Sequence, residues 1–351
     1  MMDTQEQVES LGRIAWKRLR KNRGAVIGLW IIGTVIALAV FAPLIAPMNP
    51  TTQILEYASM PALYRGNIIY KVNPVRPEIP SVLAIQSYSV AGDSIRYTDL
   101  LDRTYTAHRS ALAGAGESDW HATPLFVFGT DQFGRDILSR LIYGARIALL
   151  VAIIAEFISI AIGVLLGALA GYFRGWVDDV IMWLTNVVWS FPTVLLVIAF
   201  SVILGNGVWQ TFVAIGLTGW VDIVRIVRGQ FFSVREMEYI EATRAFGFGT
   251  MRTIFRHMLP NTLGPVTVIA TAGFATAITL EASLSFIGLG VQPPTPSWGS
   301  MINEGRGFMY AGERLELVAF SCIILALTVY AFNLFGDGLR DALDPRTSQR
   351  G

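Results

Sequence analysis

Ser233-Val-Arg-Glu-Met-Glu-Tyr-Ile-Glu-Ala-Thr-Arg-Ala-Phe-Gly-Phe-Gly-Thr-Met-Arg-Thr-Ile-Phe-Arg-His-Met-Leu-Pro-Asn261 is a charged, helix-forming run caught between two apolar segments. Ser233 followed three residues on by Glu236 reads as a capping box, in which hydroxyl and carboxylate each satisfy a free N–H at a helix start, so a helix is expected from about Val234. Gly247 and Gly249 predict a left-handed cap and a tight turn, Thr250 a second cap, and Pro260 a helix end. Two short helices at roughly a right angle, held between membrane spans, are the expected product.

Composition sets the solvent. The chain has 351 residues, 53% hydrophobic and 15% charged, and a mean hydropathy of +0.51; soluble domains carry about 25% charged residues. These values identify an integral membrane protein. The net charge of +1 reflects basic residues spread by membrane side, not a patch for nucleic acid. Cys322 is the single cysteine, which excludes an internal disulfide. His108, His121 and His257 are scattered singly and do not make a metal site.

Residues 1–23 are polar and carry Arg13, Lys17, Arg18, Arg20, Lys21 and Arg23 before the apolar run 24–46. That run is long enough to cross a bilayer and exceeds the ~7–15-residue core of a signal peptide, so it reads as an uncleaved first span. Residues 47–128, rich in Pro, Tyr, Ser and Thr, contain no spanning stretch. Alternation over 63–70 and 87–97 predicts two short β-hairpins in this extracytoplasmic insert. A lid, a contact surface for a delivering protein and a passive decoration are all compatible with it. Five further spans are expected at 147–172, 180–204 with Pro192 inside, 209–226, 263–290 and 317–335. Gly163, Gly167 and Gly171, spaced by four, predict close helix approach in the second of the six.

Lys and Arg decide the sides. Both termini inside puts sixteen of the 27 basic residues in the cytoplasm, and with them the 233–261 loop. Three carboxylates, Glu156, Asp222 and Glu281, lie within apolar runs and should face the bundle interior or water. Asp222 is expected to pair with Arg225, three residues on. Glu281 reads either as a wall of a translocation path that holds a cationic group or as a hydrogen-bonded packing residue. Glu156 acquires no role from the sequence.

Glu241-Ala242-Thr243, three residues, Gly247, nine residues, a variable pair and Leu259-Pro260 resemble the loop signature of permease subunits of ATP-binding-cassette importers. Thr243 stands where that family usually has Ala, and His257 where it has Ile. Phe128-Gly-Thr-Asp-Gln-Phe-Gly-Arg-Asp-Ile-Leu-Ser-Arg140 is similar to the segment before the second span in the peptide and nickel branch, as are 280–290 and 293–299. In physical terms Thr130 or Asp131 could cap an amphipathic interfacial helix; too few glycines and no following Lys exclude a phosphate cradle.

The resemblance implies an all-α polytopic protein with six transmembrane helices of the type I importer kind. Its parts are a cytoplasmic segment 1–23, a first helix 24–46, the insert 47–128, a core permease domain 129–336 and a cytoplasmic tail 337–351. It implies half of a translocation pathway in a bacterial inner membrane, for peptides or a related small solute. The implied partners are a homologous second permease, two ATP-binding subunits and an extracytoplasmic solute-binding protein. Glu241, Ala242, Gly247, Leu259 and Pro260 form the ATPase-coupling loop, and Glu281 and Asp222 stand on the possible path. No Walker-type lysine loop is present, so ATP and Mg are expected at the partners and no cofactor or catalytic residue in this chain. An ion-gradient-driven secondary transporter is the alternative; it would show inverted repeats with broken helices and leaves the loop unexplained. An intramembrane enzyme fails for want of a reactive residue set. Peptides, nickel complexes, glutathione-like compounds and sugars all remain open as substrates.

Overall fold

The computed structural model describes residues 11–75, 78, 80–205, 207–310 and 315–343; residues 1–10 and the part of the expected tail beyond 343 lie outside the described residues. In chain order the first helices are α1 (Leu11–Leu19), α2 (Arg23–Val40), the single turn α3 (Ala42–Ile45) and α4 (Glu117–Trp120). Then come α5 (Ile137–Phe173), α6 (Gly175–Trp189), α7 (Thr193–Leu204), α8 (Val208–Arg235) and α9 (Glu238–Ala245). The last are α10 (Thr250–Arg252), α11 (Leu259–Ile287), α12 (Trp298–Tyr310) and α13 (Glu316–Leu343).

Five helices are long and apolar enough to cross a membrane, and the pair α6 and α7, bent by 91°, makes a sixth if taken as one broken span. The expected third span is therefore not a straight helix. Ser190 and Phe191 break it ahead of Pro192, which cannot donate to a continuing helix and disfavours helical geometry in the residue before it. The second span and the polar stretch before it form one helix of 37 residues, about 55 Å at 1.5 Å per residue and so longer than a hydrocarbon core.

The chain divides into two compact units, one holding Ala148–Gln292 with the segments up to Ile36 and from Ile323, the other Ala37–Ile147 with Pro293–Cys322. In the first, the predicted glycine face of α5 lies on α8. A Cβ at Gly163, Gly167 or Gly171 would come within 2.5 Å of Ile223 Cβ, 2.7 Å of Val227 Cβ and 2.4 Å of Phe231 Cβ. Lipid is as apolar as the side chains, so helices there associate by close backbone packing, and small residues are what permit it. Gly28 of α2 meets the backbone of Ala331 on α13, and Gly338 of α13 meets Ala25, in the same manner. Across α6 and α8, Arg228 donates to both oxygens of Asp178 at 2.5 and 2.6 Å.

In the second unit, the insert folds as eight short strands: β1 (Tyr64–Arg65), β2 (Ile68–Lys71), β3 (Ser81–Ala84), β4 (Ser87–Ala91), β5 (Ser94–Thr98), β6 (Thr104–His108), β7 (His121–Ala122) and β8 (Leu125–Phe126). They form three antiparallel sheets, ordered β1-β8, β3-β2-β7 and β4-β5-β6. The hairpin expected over 87–97 is β4-β5, turning at Gly92 with φ +61. The hairpin expected over 63–70 does not form: β1 pairs with β8 and β2 with β3 and β7. Gly66 is not a turn residue here; the Tyr57 ring packs where its side chain would be, 2.7 Å from a Cβ built there. Burial pushes the Tyr57 phenol up to about 12, and its hydroxyl donates to Asn67 O at 2.7 Å.

Candidate functional site: coupling loop, membrane cavity and a buried charge joint

The 233–261 loop is mounted differently from its sequence reading. Ser233 does not start a helix: α8 runs on to Arg235, and the Ser233 hydroxyl donates back to Gly229 O. Burial explains the override, because Phe231 and Val234 are packed in a core with Ile240, Ile254 and Met258, and local capping is worth only about 1 kcal/mol. Glu236 instead meets Arg174 at 2.9 Å. The chain turns at Met237 and α9 begins at Glu238.

α9 ends as its glycine predicts. Gly247 has φ +75, Phe246 N–H donates to Ala242 O, and Phe248 N–H reaches back to Thr243 O at 3.0 Å, a Schellman closure around a left-handed residue. Gly249, with φ −65, precedes the next helix as an extended residue, so that neither it nor the Thr250 side chain caps by the route expected. Pro260 does not end a helix. Residues 250–287 form one helical stretch, with a π turn at Thr253–Met258 directly before Pro260. A proline ring clashes with the carbonyl four residues back and lacks an N–H; a π turn just ahead of it relieves both demands.

The result is a short helix fixed on one side and open on the other. Ile240 is fully buried and Thr243 nearly so, its hydroxyl donating to Ile240 O at 2.7 Å, which is how Thr fits where small Ala is usual. Asn261 donates to Tyr239 Oη at 3.0 Å and ties the start of α9 to α11. Glu241, Ala242, Ala245 and Phe246 face outward, Phe246 at 78% exposure. Leu259 packs against the core beneath, while Pro260 is exposed. Phe246, absent from the sequence reading, was signalled only by its place beside the capping glycine.

The membrane carboxylates do not share one environment. Asp222 is exposed and lines a cavity of about 180 Å³ between α5, α8 and α11. It does not pair with Arg225, which turns to Asn186 Oδ1 at 3.1 Å and lies over the Trp189 ring at 4.3 Å. Glu281 is 1% exposed and accepts a hydrogen bond from Ser285 Oγ at 2.7 Å; its neighbour Leu280, not Glu281, lines the cavity. Glu156 also lines it.

In the second unit, the Gly129–Arg140 segment is a joint. Gly129 and Gly134 both have positive φ, and a Cβ at Gly134 would fall 1.8 Å from Ile54 O, so these glycines are where the segment presses on the root of the insert. Thr130 does not cap a helix; its hydroxyl accepts from Met60 N–H at 2.8 Å and donates to Tyr57 O. Asp131 accepts from Phe133 N–H, Arg135 N–H and Arg135 Nε, and contacts Arg140. Both arginines are 2% exposed and also reach Glu304 of α12. The cap of α5 is Asp136, whose Oδ2 accepts from Ser139 N–H at 2.7 Å. Burial pushes the Asp136 carboxyl above the ordinary carboxylate range against that hydrogen bond, and Oδ1 has no partner among the described residues. Glu304 carries no sequence signal, because its partners are distant in the chain.

Residues 163–349 match the family described as binding-protein-dependent transport system inner membrane component, and residues 10–62 match the N-terminal TM domain of oligopeptide transport permease C. The chain is 35% identical to the dipeptide transport system permease protein DppC of Bacillus subtilis (strain 168), over 95% of this chain and 85% of that protein. It is 45% identical to the glutathione transport system permease protein GsiD of Escherichia coli O157:H7, over 62% of this chain and 72% of that protein. Among solved structures, an inward-facing MetNI methionine ABC transporter chain is similar at 20% identity and a TM-score of 0.49, over 59% of this chain and 98% of that one. A family model spanning more than half of the chain, together with these relatives, decides the assignment: the chain belongs to the binding-protein-dependent inner membrane components, as a permease of the peptide/oligopeptide branch of ATP-binding-cassette importers.

Proposed function

We propose that the chain forms half of the translocation pathway of an importer for dipeptides or a closely related small solute, and that α9 is the lever through which ATPase subunits drive it. The relatives named for dipeptide and glutathione transport support the substrate class. The mounting of α9 supports the lever: a rigid inner face on Ile240 and Thr243, an outer face of Glu241, Ala242 and Phe246, and an elbow at Gly247. In this reading both termini are cytoplasmic in a bacterial inner membrane. The working assembly adds a second permease, two ATP-hydrolysing subunits that hold ATP and Mg, and an extracytoplasmic binding protein. Closure of the ATPases moves α9, and the helices behind it rock between inward and outward opening. The cavity with Asp222 in its wall is assigned to the path.

The reading of 47–128 as an extracytoplasmic insert and of 129–336 as the permease core goes with this topology. Glu281 is the second path candidate; unchanged uptake and substrate range in Glu281→Gln would reduce it to a packing residue. The lever is tested by introducing a cysteine at Ala242 in a Cys322→Ser background and crosslinking the complete importer. A product with an ATP-binding subunit is expected, and its absence in a transporting assembly sinks the proposal. A gradient-driven transporter would instead take up solute without ATP or those subunits.

A further inference from the structure

We propose that the cavity between α5, α8 and α11 is a station for the protonated amino terminus of a passing peptide, with Glu156 as its anchor. The inference rests on the peptide-importer reading above and adds to it a residue and a ligand chemistry.

Glu156 is 5% exposed, lines the cavity, and has no hydrogen-bond or ion-pair partner among the described residues. It is held there by a gap in the neighbouring helix. A Cβ at Gly273 would sit 2.1 Å from Glu156 Oε2 and 2.5 Å from Oε1, so the carboxylate lies against the bare backbone of α11, in space from which a side chain at 273 would have to push it. A buried carboxylate without a partner takes up either a proton or a cation.

The rest of the wall selects which cation. Asp222 adds a second carboxylate, and among the described residues no Lys, Arg or His lines the cavity. The hydroxyls of Ser159, Thr218 and Thr276 already donate to Gly216 O, Ile215 O and Ala272 O, which leaves their oxygens as acceptors. A wall of acceptors suits a primary ammonium with its three donors, and an α-amino group with a pKa near 7.7–8.0 is mostly charged at neutral pH. A hard divalent ion would want six or more oxygen ligands, and no cluster of three or more His, Cys, Asp or Glu suited to a metal occurs among the described residues.

The test uses the complete importer with its partner subunits and binding protein in proteoliposomes, and dialanine as the probe. Glu156→Gln should lower dialanine uptake at least tenfold while dialanine-stimulated ATP hydrolysis persists, and Glu156→Asp should regain much of the uptake. Gly273→Ala, which displaces the carboxylate and keeps its charge, should mimic the loss. Unchanged dialanine uptake in Glu156→Gln overturns the inference. Should that variant fail to assemble, the wild-type assembly decides. A hydrophobic carbodiimide should label Glu156, with dialanine protecting it and N-acetyl-dialanine not. No labelling, or equal labelling with the two peptides, overturns the inference. A wild-type importer without ATP-driven dialanine uptake strikes the importer reading itself, and this inference with it.

Discussion

Arg140 donates to Glu304 at 2.6 and 3.2 Å across 164 residues of chain, and the same guanidinium touches Asp131, nine residues earlier in the sequence. With Arg135 the four side chains form a nearly closed set of two cations and two anions, in which both guanidiniums are buried and Glu304 is partly so. Two formal charges of each sign make it neutral, which is what allows such a cluster to be buried at all.

Neutrality makes the joint sensitive to the loss of any one member. Glu304→Ala leaves two buried guanidiniums with Asp131 alone, and breaking a buried pair in this way costs about 3–5 kcal/mol. A thermal melt of the purified protein in detergent should show a lowered midpoint. A midpoint equal to wild type would mean that the cluster is hydrated.

Asp136 offers a pH signature of opposite sign to the usual carboxylate. Its folded pKa is raised, chiefly by burial, so the folded state holds this proton more tightly than the unfolded chain. Its contribution to stability is therefore greatest below the ordinary Asp value of about 3.9 and is lost as pH rises through the raised pKa. Asp136→Asn keeps a good helix cap and should flatten that part of the pH–stability profile. A profile unchanged by the substitution would contradict the assignment.

Gly247→Glu puts a side chain at φ +75, where a non-glycine residue is strained by roughly 1–3 kcal/mol, and adds a charge beside the outer face of α9. Membrane insertion should be normal and solute uptake abolished. Transport at the wild-type rate would remove the lever from the mechanism.

The α5–α8 seam predicts a purely steric defect. Gly167→Leu drives a branched side chain into Val227 and the Val224 carbonyl, where even a Cβ would lie 2.7 and 2.8 Å from its neighbours. Overpacking of this kind typically costs about 1–3 kcal/mol, read as a lowered melting temperature in detergent. The exposed Gly229 of α8, with open space where its Cβ would be, should accept Ala without loss.

How far the sequence could be read depends on the range of the forces involved. The Gly163, Gly167 and Gly171 face and the Gly247 elbow were legible because each is demanded by backbone geometry alone. The capping box at Ser233 and Glu236 misled because its local hydrogen bonds competed with burial of Phe231 and Val234, a tertiary term larger than a cap. Pro260 misled because a π turn ahead of it absorbs what an α-helix cannot. The Asp222 and Arg225 spacing fitted an ion pair, yet Arg225 found an amide and a tryptophan face on the broken span α6. Glu304 and the Glu156 niche could not be seen from spacing, since each is defined by a helix far along the chain.

The bare backbone at Gly273 ties two distant positions into a single evolutionary unit. A homologue that acquires a side chain at 273 must move the carboxylate at 156 out of its present seat, and one that drops the acid no longer needs the glycine. Sequences of this kind should therefore change at both sites together, giving a signature of cargo chemistry that neither position carries alone.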